Sequence, residues 1–273
     1  MSGRTGIWNM SCGRAIALRF IAVALLVVVA CWASMWAFTE YKAHGAKSLL
    51  AEASRIQIGD SESSVLALVG RYGGFKWTPE PLPPREQWID KDEYDYQTHQ
   101  QSDYKYALGI SPFGTAVASS FGRWTETLRS VRERVPVRLR PLLGLRDWGT
   151  EVEVTIRKGH VQSVSAMTLV EGRFQWLGHS WELAGRMPRS HMPSRAYAIG
   201  AAHLTMAGGG GEMIQNFFTP TASKEEVLAA RKFNAGCLTS LRGCGLCDVA
   251  PRALEYLEHH PDAAWNIIPP KCR

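Results

Sequence analysis

The sequence predicts an α+β protein held by a single N-terminal transmembrane helix. Three observations predict it. Residues Phe20 to Phe38 (FIAVALLVVVACWASMWAF) carry no charge. The segment Glu151 to Ile156 (EVEVTI) alternates strictly, meets a turn at Lys158-Gly159 and resumes as HVQSVSAM from His160, the pattern of a hairpin. Helix-start signals stand at Asp60 or Ser61 and at Thr221 or Ser223, on either side of this strand-rich middle. The expected product is an extracytoplasmic domain with a short helix, an antiparallel sheet and a helical, cysteine-containing C-terminal segment. Its expected boundaries are a cytoplasmic tail at 1–19, an anchor at 20–38, an α+β domain at 46–220 and a disulfide-stapled segment at 221–273.

The anchor comes first. A helix of this length rises about 28 Å, close to the hydrocarbon thickness of a bilayer. Lipid offers no hydrogen bonds, so a lone spanning segment must be helical. Arg4, Arg14 and Arg19 precede the run without any acid, and Glu40, Lys42 and Lys47 follow it. The positive-inside rule leaves the tail in the cytoplasm, and Trp32 and Trp36 sit near the exit, where indole rings favour the interface. The expected partner of residues 20–38 is the lipid bilayer itself. A cleaved signal peptide has an apolar region of about 7–15 residues, and the only small-x-small site here is Ala43-His44-Gly45. Val28-Val29-Ala30-Cys31 reads as a lipobox, which keeps Cys31 as a lipidation alternative. Trp32 to Phe38 nevertheless stays apolar after that cysteine, where such signals give way to a polar linker. The order is anchor, then lipoprotein, then cleaved signal.

Charge narrows the partners. The formal net charge is +6, and half of it lies in the tail. The remainder, about +3 over the external part, is no nucleic-acid signature. From Glu86 to Asp103 there are six acids and one lysine. From Arg123 to Arg146 there are seven arginines and two acids, with Phe121, Trp124, Leu128, Val131 and Val135 at helical spacing until Pro136 stops the pattern. A surface helix with a solvated basic face is expected there; a helix lying on anionic headgroups is the rarer alternative.

Along the external part, Ala46 to Ser54 reads as a short helix or a continuation of the anchor. In IQIGDSESSVLALVGRYGG, from Ile56 to Gly74, Gly59 turns the chain and Asp60 or Ser61 caps a helix whose apolar face is Val65, Leu66, Leu68 and Val69. Gly70 is placed to end it. The four prolines of TPEPLPPREQW exclude regular structure. Strands are then expected at Tyr104–Ile110, at the hairpin running on to Val170, and within Arg195–Met206. Gly208 to Gly211 reads as a hairpin or loop tip. It is no P-loop, since no Lys-Ser/Thr follows.

The helix pattern I-x-I-G-D-S-x-x-x-V-L-x-L-V-G, the Pro-rich loop and the hairpin together resemble the BamE/SmpA type of small α+β envelope module. The resemblance covers residues 48–170 and rests on Ile58-Gly59, Val65, Leu68 and Gly70. It implies a helix packed on the sheet and an aromatic in the next strand, a place for Tyr104 or Tyr106. It also implies an envelope lipoprotein or anchored protein that acts by binding other proteins, not by catalysis.

Six cysteines complete the inventory, with Cys12 in the tail and Cys31 in the anchor. Cys237, Cys244, Cys247 and Cys272 crowd the C terminus, after a helix starting near Thr221 or Ser223 and beside another expected at Pro251–His259. Outside the membrane such cysteines oxidise, and four allow three pairings. Disulfides are the leading reading. A redox pair at Cys244 and Cys247 is the first alternative, although no βαβ surroundings accompany it. A thiolate metal sensor is the second, although no second C-x-x-C is present. No catalytic motif emerges and no cofactor is implied. The expected function is that of a membrane-anchored, non-catalytic envelope protein acting through protein contacts; the alternatives are a tethered thiol oxidoreductase or the metal sensor.

Overall fold

The long N-terminal helix, α1 (Ile7–Ala53), is the spine of the molecule. The structure, a computed structural model, describes residues 7–91, 94, 98, 101–112, 130, 132–136, 138–172, 176–184, 197–206, 209–218, 222–241, 243–252 and 254–255. At about 1.5 Å per residue, the 47 residues of α1 extend roughly 70 Å. Ala46–Ser54 is therefore not a separate helix but the end of α1, which closes with a tight turn at Ser54 and Arg55.

The two halves of α1 have different surroundings. Leu18, Phe20, Ile21, Val23 and Leu25 to Val29 are all exposed. The most apolar 18-residue window has a mean hydropathy of 2.4, and none of it is buried. This helix is long and apolar enough to cross a membrane. From Thr39 onward one stripe turns inward: Thr39, Ala43, Ala46, Leu49 and Ala53 are buried at three- and four-residue steps. Its small residues let the helix lie close on the sheet. The buried core thus begins ahead of the expected domain start at 46, and it joins the same helix that carries the apolar run.

Among the described residues the sheet has seven strands: β1 (Phe75–Trp77), β2 (Tyr104–Ile110), β3 (Trp148–Arg157), β4 (His160–Glu171), β5 (Trp176–Ala184), β6 (Tyr197–Met206) and β7 (Gly209–Phe218). Their order is β1-β2-β3-β4-β5-β7-β6. The expected hairpin is β3 and β4. Lys158 and Gly159 form its two-residue loop, both at positive φ (51° and 75°), the turn whose twist suits adjoining strands. Val152, Val154 and Ile156 face α1, opposite Ala166, Val164 and Val161. A bulge at Gln162 shifts the register between Thr155 and Ile156.

The sheet is mixed rather than antiparallel throughout, because β5 pairs with β7 in parallel while β6 lies outside them. The glycine run belongs to a hairpin, one of its two expected readings, because β6 and β7 pair from Met206 and Gly209 onward. Gly209, Gly210 and Gly211 are strand residues of β7, and a Cβ on Gly211 would stand 2.7 Å from the Trp176 carbonyl oxygen. Only glycine permits that approach between β5 and β7.

Helix α2 (Glu62–Tyr72) packs Val65 and Leu68 into the core beside β2. Gly59, at φ +91°, turns the chain into it and donates its N–H to Val161 O on β4. Ser61 occupies the N-cap position, but its side chain does not cap. The helix ends at Gly73 (φ +71°), whose N–H bonds Val69 O, and Gly70 lies inside it. Glu62 accepts hydrogen bonds from Tyr104 Oη (2.5 Å) and Tyr106 Oη (2.6 Å), clamping α2 to β2. These bonds hold the Glu62 carboxyl below its ordinary range. Both phenols are pushed up to about 12, Tyr104 chiefly by the Glu62 bond and Tyr106 chiefly by burial. The clamp is thus an anion held by two neutral phenols.

The C-terminal segment is not a separate layer. Helices α3 (Lys224–Ala230), α4 (Gly236–Thr239) and α5 (Leu246–Val249) place Ala230, Cys237, Leu238, Leu246 and Val249 in the same buried cluster as α1 and the sheet. Ser223 caps α3 through a reciprocal pair with Glu226. Pro251, Arg252, Leu254 and Glu255 are helical, and the remainder of the helix expected to His259 lies outside the described residues. Arg231 reaches across to donate to Ser54 O (2.6 Å) at the end of α1, with its guanidinium 4.2 Å from the Trp181 ring centroid. A cation there also suits the negative end of the helix dipole.

His179 of β5 is a buried titratable group packed against this segment. Its Nε2 donates to Ala230 O (2.8 Å), and Phe233 stacks on the ring. Burial pushes its pKa down from 6.5 to about 4. Between those values the unfolded chain binds a proton that the folded protein refuses, so stability falls as pH falls through this window. The expected loss is about 3 kcal/mol from this residue by pH 4. Urea unfolding across that range should give a flatter pH dependence for His179→Gln than for the parent protein; equal slopes would remove His179 as the cause.

Candidate binding cleft on the open sheet face

All the described helices that cover the sheet lie on one side, because alternation sends Val152, Val154, Ile156, His179, Trp181 and Phe218 toward them. The intervening residues line the other side. There Glu151, Glu153, Ser165, Met167, Ser180, Glu182, Met213, Gln215 and Phe217 surround a cleft of about 280 Å³. Cross-strand register brings these residues together: Glu153 faces Ser165, Ser165 faces Glu182, and Glu182 lies beside Phe217.

Among the described residues the cleft carries more negative charge than it neutralises. Lys105 pairs with Glu153 at 2.5 Å and lies 5.0 Å from the Trp77 ring centroid. Burial raises the pKa of Glu182, reinforced by the Glu153 charge and opposed by Lys105. Burial raises Glu151 in the same way, with Glu153 again adding to it. Each shift means that its carboxylate gains from a cation entering the cleft. Phe75 and Trp77 of the edge strand extend the same face and are exposed. The cleft sets carboxylates among methionine and aromatic walls.

This site was only half legible beforehand. Glu151 and Glu153 are the polar side of the EVEVTI alternation. Glu182, Met213, Gln215 and Phe217 belong to β5 and β7, strands that the sequence reading did not identify. The signal in β5 is the inward series Leu177, His179, Trp181 and Leu183, in which a buried histidine and tryptophan disguise the apolar period.

The sequence-derived candidates lie elsewhere. Cys237 and Cys244 form a disulfide with Cα atoms 5.6 Å apart. Cys247 is also disulfide-bonded. The C-x-x-C pair is therefore not joined to itself, and Cys244 offers neither a free thiolate for redox attack nor one for a metal. Cys272 lies outside the described residues. Cys31 is a free, exposed thiol within the unbroken α1. Among the described residues no group of three or more His, Cys, Asp or Glu side chains is arranged to hold a metal ion.

The arginine-rich segment is also placed differently from expectation. Phe121, Trp124, Leu128 and Val131 lie outside the described residues. Arg132 and Arg146 are buried rather than solvated. Arg132 pairs with Asp147 (3.3 Å) and Glu171 (3.0 Å), Arg140 pairs with Glu171, and Arg146 donates to Cys237 O (2.8 Å). These bonds bind the segment to the end of the β3–β4 hairpin and to the disulfide.

Fold and cleft together define a class: a mixed-sheet α+β domain whose first core helix continues into a long exposed apolar segment. Comparison with protein-family models, with curated proteins and with solved structures found no match.

Proposed function

We propose that this is a single-pass membrane protein of the cell envelope, N terminus in the cytoplasm and domain outside, that acts without catalysis by binding another protein. The observation that carries the reading is the open sheet face, an acidic cleft with apolar walls on a domain built around its own anchor helix. Glu151 and Glu182 favour an incoming cation. Met167, Met213 and Phe217 favour apolar contact around it. A basic segment of a partner protein, flanked by apolar residues, meets both demands. The exposed apolar window of α1, the arginines before it and the Cys237–Cys244 disulfide all favour the membrane and its outer side. The resemblance to the BamE/SmpA type of module points the same way.

Site-specific photocrosslinking in native membranes tests this. A crosslinker at Ser165, inside the cleft, should give a discrete protein adduct that Glu151→Gln with Glu182→Gln abolishes. One at the exposed hairpin residue Lys158 should give none. No adduct from Ser165, or one that survives the double substitution, would overturn the cleft as the contact site.

A further inference from the structure

We propose that the turn Arg138–Gly144 is a membrane wedge that enters the outer leaflet beside the anchor and sets the domain's orientation on the bilayer. The inference rests on the reading of α1 as a spanning helix. The turn is exposed and apolar: Leu139, Leu142 and Leu143 are 48%, 50% and 41% accessible. It is also held firmly. Trp32 Nε1 donates to Leu142 O (3.0 Å), and Thr39 Oγ1 donates to Gly144 O (3.0 Å). Gly144, at φ +70°, backs onto Trp36 so closely that a Cβ would stand 3.4 Å from the Trp36 backbone nitrogen. Residues 32, 36 and 39 form one stripe of α1, and the turn lies along it.

Depth follows from this contact. Trp32 precedes Phe38, the end of the uncharged run, by about 9 Å of helix at 1.5 Å per residue. Interfacial apolar faces sit about 5–10 Å into the boundary between headgroups and acyl chains. A turn bonded to Trp32 and packed on Trp36 therefore carries its leucines to that boundary when residues 20–38 span. The charges agree. Arg132 and Arg140 are taken up by Glu171, whereas Arg134 and Arg138 are exposed, with Glu133 the exposed acid of the same stretch. Arg134 and Arg138 suit phosphate headgroups above the inserted leucines. A lone helix leaves a domain free to rotate about its axis. A second contact off that axis stops the rotation and holds the acidic cleft in one attitude to the membrane.

Spin-label depth measurements on the full-length protein test the wedge. The protein, with Cys12→Ser and Cys31→Ser, is reconstituted into phosphatidylcholine–phosphatidylglycerol vesicles and labelled at Leu143→Cys, Leu139→Cys, Leu26→Cys or Lys158→Cys. The expected result is loss of collision with an aqueous nickel reagent and gain of collision with oxygen at Leu143, Leu139 and Leu26, with the reverse at Lys158. Labels at Leu143 and Leu139 exposed to water while Leu26 is in lipid would overturn the wedge and leave the anchor standing. Leu26 in water would overturn the anchor and the wedge with it. Removing phosphatidylglycerol should make the Leu143 label shallower; an unchanged depth would overturn the role given to Arg134 and Arg138.

Discussion

Replacing Glu171 with Gln should destabilise the protein by about 3–5 kcal/mol, the range for removing one partner of a buried ion pair. Gln preserves the side chain's shape, so no cavity arises. What changes is charge. Glu171 accepts from Arg132 and Arg140, and its Oε2 accepts from the Asp147 N–H at 3.3 Å. Without its carboxylate, Asp147 remains to neutralise a buried guanidinium at 3.3 Å, and Arg140 loses its acid. The consequence extends beyond the ion pairs. This cluster ties Arg132 to Asp147, and with it the turn on α1, to the end of β4. Urea unfolding of the purified protein in detergent measures the loss. Glu153→Gln is the contrast, because its pair with Lys105 is partly solvated and should cost no more than about 1 kcal/mol. Equal effects of the two substitutions would refute the buried cluster.

Truncating Leu49 to Ala should cost about 2–5 kcal/mol, the range for deleting a buried leucine side chain. Leu26→Ala, on the same helix, should leave the domain's unfolding midpoint unchanged in detergent. Leu49 is fully buried against the sheet, whereas Leu26 is 69% exposed in the apolar window. The two residues separate the functions of α1. Its first part faces whatever surrounds the protein, and its last part is a core helix of the domain. A small effect of Leu49→Ala would mean that the helix and the sheet are coupled weakly. The coupling matters for the wedge and the cleft alike, since a rigid helix transmits its orientation only to a domain packed on it.

Several elements were readable from local pattern alone. Tyr104–Ile110 is β2 with the expected bounds. The β3–β4 hairpin was visible because its valines alternate and because Lys-Gly suits a two-residue loop. The start of α3 was announced by Thr221 or Ser223 as candidate caps, and the structure selects Ser223, paired with Glu226. The misses share a cause. Strand β1 is three residues long and holds its place by pairing with β2, so no period can be seen in it. In β5 the inward positions include His179, polar in sequence but buried because the Ala230 carbonyl accepts a hydrogen bond from its ring. In β7 both faces carry large apolar groups, Met213 and Phe217 on one and Ile214 and Phe218 on the other, so alternation vanishes.

The cleft was partly legible for the same reason. Glu151 and Glu153 stand in a clear alternating strand, and their side of the sheet follows from it. Glu182 becomes their neighbour only when β4 and β5 pair in register.

The sequence by itself determined the long apolar helix, the hairpin and the oxidation-prone C-terminal cysteines, because each depends on residues close together in the chain. The tertiary structure alone decided that this helix continues into the core, that Cys244 bonds Cys237 rather than Cys247, and that β7 lies parallel to β5. It also decided that Glu171 gathers the arginines and that three glutamates share one cleft. These features depend on packing between residues far apart in sequence, where each partner's position is set by burial and hydrogen-bond satisfaction across the whole sheet. No local period records them.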